Sequence, residues 1–184
     1  MSELKIKIND SELIIPQGQD VKIKRDDLVL EFNDQGDFSL TIDDKMIASS
    51  HPGQPADQMA GNIMPDGSIC GGISPDTGKP FFTTARDAPS AMDHWDAVAY
   101  AEALDVHGHR DWALASASEL NVLYRNRHIG ALNGTFNETA WYPDGWYWSS
   151  SKTNNDTAKV QCFSGNTQHY SDRGYTFAVR CVRR

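Results

Sequence analysis

The chain has 184 residues, 39% of them hydrophobic, with 17 Lys and Arg against 25 Asp and Glu for a net charge of −8. That length fits one standard domain with a small one attached, and the composition is that of a folded chain rather than a disordered one. The acidic balance repels nucleic-acid backbones and anionic membranes, and no apolar run is long enough to cross a bilayer, so nucleic-acid binding and membrane insertion are not expected.

Residues 1–48 read as short strands, because LKIKI, ELII, VKIKR, LVLEF and FSLTI place apolar residues at every second position. Turn chemistry separates them at Asn9-Asp10, Gln17-Gly18 and Asn33-Asp34-Gln35-Gly36. The segment holds six basic and eleven acidic residues, five of the eight net negative charges. Five strands with few large apolar residues are marginal alone, so a role in packing or self-association is expected. The first residues alternate instead of forming a basic start and an apolar core, so no secretion signal is read. Synthesis in the cytosol follows as the expectation, with release by a route such as a phage particle.

Residues 49–62 are polar and rich in Pro and Gly, which predicts a linker. Beyond it, SICGGI and PFFTT are strand candidates joined by the turn Pro75-Asp76-Thr77-Gly78. A helix is predicted over 92–104, opened by a capping box at Ser90-Ala91-Met92-Asp93, with Trp95, Val98 and Ala101 on one face. A second is predicted over 117–126, opened by Ser116-Ala117-Ser118-Glu119, with Leu120, Leu123 and Tyr124 inward. The stretch between them, His107 to Trp112, is short and polar. Residues 146–151, 158–163 and 175–182 are the best strands of an antiparallel sheet, and Ser164-Gly165-Asn166 suits a hairpin turn. Helices followed by antiparallel strands make an α+β order. Trp95, Trp112, Trp146 and Trp148 are suited to the core, and Asp111 to a cap or a pair with Arg110 or Arg180.

These residues also form an ordered series: Trp95, Ala99-Tyr100, Gly108-His109-Arg110-Asp111-Trp112-Ala113-Leu114, Glu119-Leu120, Tyr147-Trp148-Ser149-Ser150 and Val179-Arg180-Cys181-Val182-Arg183. The series resembles the bacterial and phage family DUF1566, also called the C-terminal domain of the Legionella collagen-like protein, over residues 63–184. The resemblance implies a C-type-lectin-like fold, two helices flanking a small twisted sheet, and roles as adhesins or ligand binders. The fold is also that of retroelement-diversified variable proteins. Departures are Ala113 and Ala115, where that family's loop has Arg and Pro, and Tyr100-Ala101-Glu102, where its first helix has a Cys. Cys181 thereby loses its implied partner.

Three cysteines, Cys70, Cys162 and Cys181, are too few for a disulfide scaffold and none has metal spacing. They read as buried small residues, with a bridge between Cys162 and Cys181 open after oxidation. His107, His109 and Asp111 have ligand chemistry but crowd one tight loop, and Asp144, Asn154, Asn155 and Asp156 are an alternative oxygen set for a hard cation. Neither set is favoured, and no metal or cofactor is assigned. No serine has a local base, and the cysteines do not stand in the setting of the formylglycine-generating enzymes that share the implied fold class, so no catalytic residue is assigned.

Residues 152–175 combine Asn, Thr, Ser, Asp, His, Gln and Tyr, the adaptable contacts of antibody loops, with an alternating apolar set. The ligand-binding candidates are Trp141, Tyr142, Trp146, Asn154, Asn155, Lys159, Gln161, Asn166, Gln168, His169, Tyr170 and Tyr175. Strand alternation predicts that Asn155, Gln161, Asn166, Gln168 and Tyr170 project outward together while Val160, Cys162, Val179 and Cys181 point inward. A non-enzymatic recognition protein binding a protein or glycan on a cell surface is the favoured reading. A structural virion or surface protein is the second, and a cysteine oxidase the third.

Overall fold

In the computed structural model, the described residues are 58–139 and 142–184, together with the backbone of six strands between residues 3 and 49. The chain divides into two compact units, Met1–Met59 and Ala60–Arg184.

The first unit follows the period-two pattern closely. Strands β1 (Glu3–Ile8) and β2 (Ser11–Pro16) form an antiparallel pair. Strands β3 (Val21–Arg25), β4 (Leu28–Phe32), β5 (Phe38–Ile42) and β6 (Lys45–Ser49) form a four-stranded antiparallel meander. All five expected strands are present and β6 is an addition. The expected turns at 9–10, 17–18 and 33–36, and residues 50–57 of the expected linker, lie outside the described residues.

The second unit is α+β. Strands β7 (Ile69–Ile73), β8 (Pro80–Thr83), β9 (Ala113–Leu114) and β13 (Cys181–Arg183) form one sheet in the order β7-β8-β13-β9. Strands β10 (Trp146–Lys152), β11 (Thr157–Cys162) and β12 (Gln168–Asp172) form another, with β12 at its edge. Helices α1 (His94–Ala103) and α2 (Ala117–Asn126) accompany them, with a 3-10 turn at Gly130–Leu132. Residues 60–62, the end of the expected linker, belong to this unit. The Gly61 N–H donates to the Cys70 carbonyl at 2.8 Å, and its own carbonyl accepts from Ala131 at 2.8 Å. Gly61 has φ +84°, and a Cβ there would stand 2.4 Å from the Ile129 carbonyl oxygen, so only glycine fits this crossing.

Helix α2 starts as its sequence predicts. The Ser116 hydroxyl accepts from the Glu119 N–H at 3.1 Å, and the Glu119 carboxylate accepts from the Ser116 N–H at 2.9 Å. Helix α1 starts later than expected. Met92 exchanges backbone hydrogen bonds with Phe177, both 3.1 Å. The chain is therefore still extended at 92, and the cap is Asp93, which accepts from the Asp96 N–H at 2.9 Å. The shift rotates the buried stripe to His94, Ala97 and Ala101, leaving Trp95 50% exposed.

The expected strand 175–182 is a second correction, because this segment crosses from one sheet to the other. Ala178 bonds to Trp146 and Trp148 of β10 at 2.9 and 3.0 Å, while Val182 pairs with Thr83 of β8. Only Cys181–Arg183 is left as regular strand.

Two apolar clusters fill the unit. One holds Phe81, Leu120, Leu123, Tyr147 and Phe163 against α2. The other holds Trp112, Trp148, Val160, Phe177 and Val179 against Ala97 and Ala101, whose small side chains let α1 approach closely. Between the sheets lies a buried cation. Arg180 Nε donates to Asp87 Oδ1 at 2.7 Å and Nη1 to the Thr84 carbonyl at 2.7 Å, and Nη2 to the Thr135 carbonyl. Its guanidinium lies 4.1 Å from the centre of the Phe136 ring. The second oxygen of Asp87 accepts from the Tyr147 hydroxyl at 2.7 Å, and that hydroxyl accepts from the Asn137 N–H at 2.6 Å. Burial and the Asp87 charge push the Tyr147 hydroxyl far above its ordinary pKa, so it stays a donor. The expected pairing of Asp111 with Arg180 or Arg110 is not formed. Arg180 takes Asp87, and Arg110 takes Asp105 at 2.7 Å.

Removing one partner of a buried ion pair strands the other, a loss of about 3–5 kcal/mol. Arg180→Met should therefore lower the urea midpoint by that amount of stability. A change under about 1 kcal/mol would show that the pair is not what joins the sheets.

Candidate functional site

The hairpin β11–β12 and its flanking loops carry most of the candidate ligand residues. The register Lys159↔Tyr170, Val160↔His169 and Gln161↔Gln168 sets which side chains share a face, since cross-strand partners point the same way. Tyr147, opposite Gln161, adds β10 to that pattern.

One face carries Gln161, Gln168, Lys159 and Tyr170. Gln161 is a correction to the expected outward set, for it is fully buried. Its amide donates to Asn166 Oδ1 at 3.0 Å, and its carbonyl oxygen accepts from Gln168 Nε2 at 2.5 Å. Gln168 Nε2 also donates to the Ala117 carbonyl at 2.7 Å, tying the hairpin to the start of α2. The two glutamines satisfy each other, which lets polar side chains occupy an inner position. Further along the same face, the Lys159 ammonium stands 5.4 Å from the Tyr170 ring centre, and Tyr170 is 56% exposed.

The opposite face carries Val160 and His169, Val160 buried and His169 exposed on the edge strand. His169 lies 5.6 Å from the Trp146 ring, and Tyr142 meets Trp146 edge-on at 6.0 Å. Tyr142 also meets the buried Phe177 at 5.3 Å, so its exposed ring is anchored from beneath. Trp146 is half-buried between its neighbours, and the three rings form a continuous aromatic shelf. The five residues expected to project together are thus divided. Tyr170 and the shelf lie on opposite faces of β12, and Asn155 and Asn166 lie at the two hairpin ends. Val160, Cys162, Val179 and Cys181 are buried, as alternation predicts.

Asn154, Asn155, Asn166 and Tyr175 are exposed. Asn154 Oδ1 accepts from the Asp156 and Thr157 N–H groups at 2.9 and 2.8 Å, so it shapes its own loop. Asn166 sits at φ +52° in the β11–β12 turn. Trp141 lies outside the described residues.

The stretch considered for metal forms a tight turn of another purpose. His107 and Gly108 have φ +57° and +74°, and Val106 pairs with His109. The His107 Nδ1–H donates to the Asp66 carbonyl, and His109 Nε2 to the Asp66 carboxylate, both at 2.9 Å. Arg183 donates to the same carboxylate at 2.6 Å. Burial alone would raise the Asp66 pKa, but hydrogen bonds from Ser68 and His109 and the Arg183 charge outweigh it and hold the carboxyl well below 3.8. Asp111 is exposed and lies 3.9 Å from His109.

A cleft of about 310 Å³ opens between residues 84–88 and the end of α1, lined by Tyr100, Leu104, Val106, His107 and Cys181. The Cys181 thiol is pushed up to about 12, chiefly by burial, which favours its protonated form at neutral pH. The three cysteines are buried and none forms a disulfide. His94 and Arg173 escaped the sequence reading. They meet at 3.0 Å although 79 residues apart, and no local pattern marks such a pair.

The sequence model of the family described as the Lcl C-terminal domain matches residues 74–183. Comparison with curated proteins gives no match.

The split between inner and outer positions has a direct consequence for stability. Gln161→Ala should cost about 1–3 kcal/mol, because it empties a fully buried position and removes the amide that bonds Gln168 and Asn166. Asn155→Ala and Tyr170→Ala should each stay within about half a kcal/mol. Thermal unfolding of the three variants checks the order, and equal losses would contradict it.

Proposed function

This chain belongs to the Lcl C-terminal domain family, and we propose that it is a non-enzymatic recognition protein whose 60–184 unit has a C-type-lectin-like fold. Support for the fold reading comes from two helices set against two small antiparallel sheets, with the closing strand β13 inside the sheet that β7 opens. The ligand is a protein or glycan exposed on a cell surface, and the Tyr142–Trp146–His169 shelf is the centre of its binding face.

One observation carries this reading. Of the five large hydrophobic side chains exposed among the described residues, three lie on or beside the β10-β11-β12 sheet, Tyr142 on the shelf, Tyr170 on the other face of β12 and Tyr175 just beyond it, while Tyr147 and Trp148 of that sheet are fully buried. Exposed rings cost solvation unless a partner covers them, and aromatic anchors ringed by Asn, Lys and His suit recognition. Retroelement diversification of residues 152–175 is a finer form of the same proposal. A core tied together elsewhere lets this face vary without unfolding. The six strands of the N-terminal unit would serve assembly, since two- and four-stranded sheets leave edges for a second copy.

Buried cysteines favour binding over turnover. Cys162→Ala and Cys181→Ala should lower stability and leave ligand affinity unchanged. The direct test uses fluorescently labelled full-length protein on glycan and cell-surface protein arrays. The triple variant Tyr142→Ala, His169→Ala, Tyr170→Ala should melt within a few degrees of the wild type and lose at least ten-fold in binding. Unchanged binding by a folded triple variant would refute the assignment of the β12 edge, the shelf on one side and Tyr170 on the other.

A further inference from the structure

The loop 153–156 joins β10 to β11 on the candidate face, and one residue from a distant turn holds it. Arg173 is almost fully buried although it stands between Asp172 and Gly174. Its Nη1 donates to the Asn155 carbonyl at 2.8 Å, and its backbone N–H donates to the Asp156 carbonyl at 2.9 Å. Two successive carbonyls of the loop thus depend on it. Its guanidinium covers the exposed Trp95 ring at 4.4 Å.

Arg173 is itself held by His94. Its Nε donates to His94 Nδ1 at 3.0 Å, and its carbonyl accepts from the His94 N–H at 3.0 Å. Because Nδ1 is an acceptor, the ring proton is on Nε2, which donates to the Ser149 carbonyl at 3.0 Å. His94 is fully buried at the start of α1 with its ring edge-on to Trp148 at 5.1 Å.

We propose that Arg173 positions the 153–156 loop for ligand contact and that His94, in its neutral form, anchors Arg173, so that protonating His94 as the pH falls releases the loop and weakens binding. The proposal rests on the recognition reading given above. Protonation fills the lone pair that Arg173 uses and sets two cations face to face at 3.0 Å. The charged groups around the ring do little to offset this. Arg173 approaches from the turn after β12 and Lys152 from β10, and both are cationic. Among the described residues Asp93, the cap of α1, is the one carboxylate acting on the ring, and it already accepts from the Asp96 N–H.

Burial is the largest influence on the ring and opposes charge. The Ser149 carbonyl and Asp93 favour charge, but with Arg173 and Lys152 added the net effect lowers the pKa below 6.5. A value lower in the folded than in the unfolded chain means that the unfolded chain takes up the proton first. The stabilisation is therefore complete above about pH 6.5 and is lost as pH falls from there through the folded value.

The test follows backbone amide and His94 ring resonances of the full chain between pH 7.5 and 5.0. Amides of residues 154–157 should shift with the midpoint of the His94 ring, while those of Ile69, Phe81 and Leu120 hold still. In His94→Asn the side-chain oxygen still accepts from Arg173 but takes up no proton, so the response should vanish. Arg173→Lys should show the released loop already at pH 7.5. Should His94→Asn fail to fold, coincidence of the two wild-type midpoints decides. Loop amides that ignore His94, that respond equally in His94→Asn, or that move only with loss of the core amides overturn the proposal. The readout needs no ligand. A silent loop beside intact ligand binding defeats this proposal alone, whereas a responsive loop in a chain whose triple surface variant still binds defeats the recognition reading alone.

Discussion

A guanidinium buried between two sheets is the constraint around which the domain is organised. Arg180 stands one residue before β13, and its partners come from three other places: the loop after β8, the segment after the 3-10 turn, and β10 through Asp87 and Tyr147. An unpaired charge there would carry a desolvation penalty of several kcal/mol, so the arrangement is tolerable only with every donor placed. Chain segments nearly a hundred residues apart must therefore arrive together. The crossing of residues 177–180 from β10 to β8 supplies that arrival, with Ala178 bonded to the first sheet and Val182 paired in the second.

The same device recurs at smaller scale. Glu119 caps α2, accepts from Ser74 at 2.8 Å and pairs with Arg184 at 2.6 Å, so one carboxylate joins the β7–β8 turn, a helix start and the end of the last strand. Asp66 gathers His109, Ser68 and Arg183. Charge-assisted hydrogen bonds across long sequence separations here take the part that disulfides take in other small domains. The three thiols are buried and form no disulfide. The edge strand β12 stands outside these pins, which is why its exposed side chains bear little on the core.

Apolar period revealed the two helices and most of the strands, because it records burial directly. It failed where burial is polar. β12, with Gln168, His169, Tyr170, Ser171 and Asp172, has no apolar alternation and is not among the best strand candidates, and Gln161 is expected outward although Gln168 satisfies it inside. The face of α1 was displaced by one residue because the long-range bridge from Met92 to Phe177 fixes where the helix begins. Arg180 was visible as a motif residue, but its partner was sought in Asp111 and not in Asp87, which no spacing singles out. The Tyr142–Trp146–His169 shelf was readable residue by residue, but its division from Tyr170 emerged only from strand register.

The candidate face is a loosely tied surface on a rigid, ion-pinned seam, and native-state hydrogen exchange tests that division most directly. The amides of Trp148 and Ala178, bonded between β10 and the crossing segment, and of Phe177, bonded to Met92, should exchange only through global unfolding. Those of residues 165–166, in the β11–β12 turn, should exchange orders of magnitude faster. Seam amides that exchange as readily as the turn would contradict the account, because the surface would then have no fixed core on which to vary.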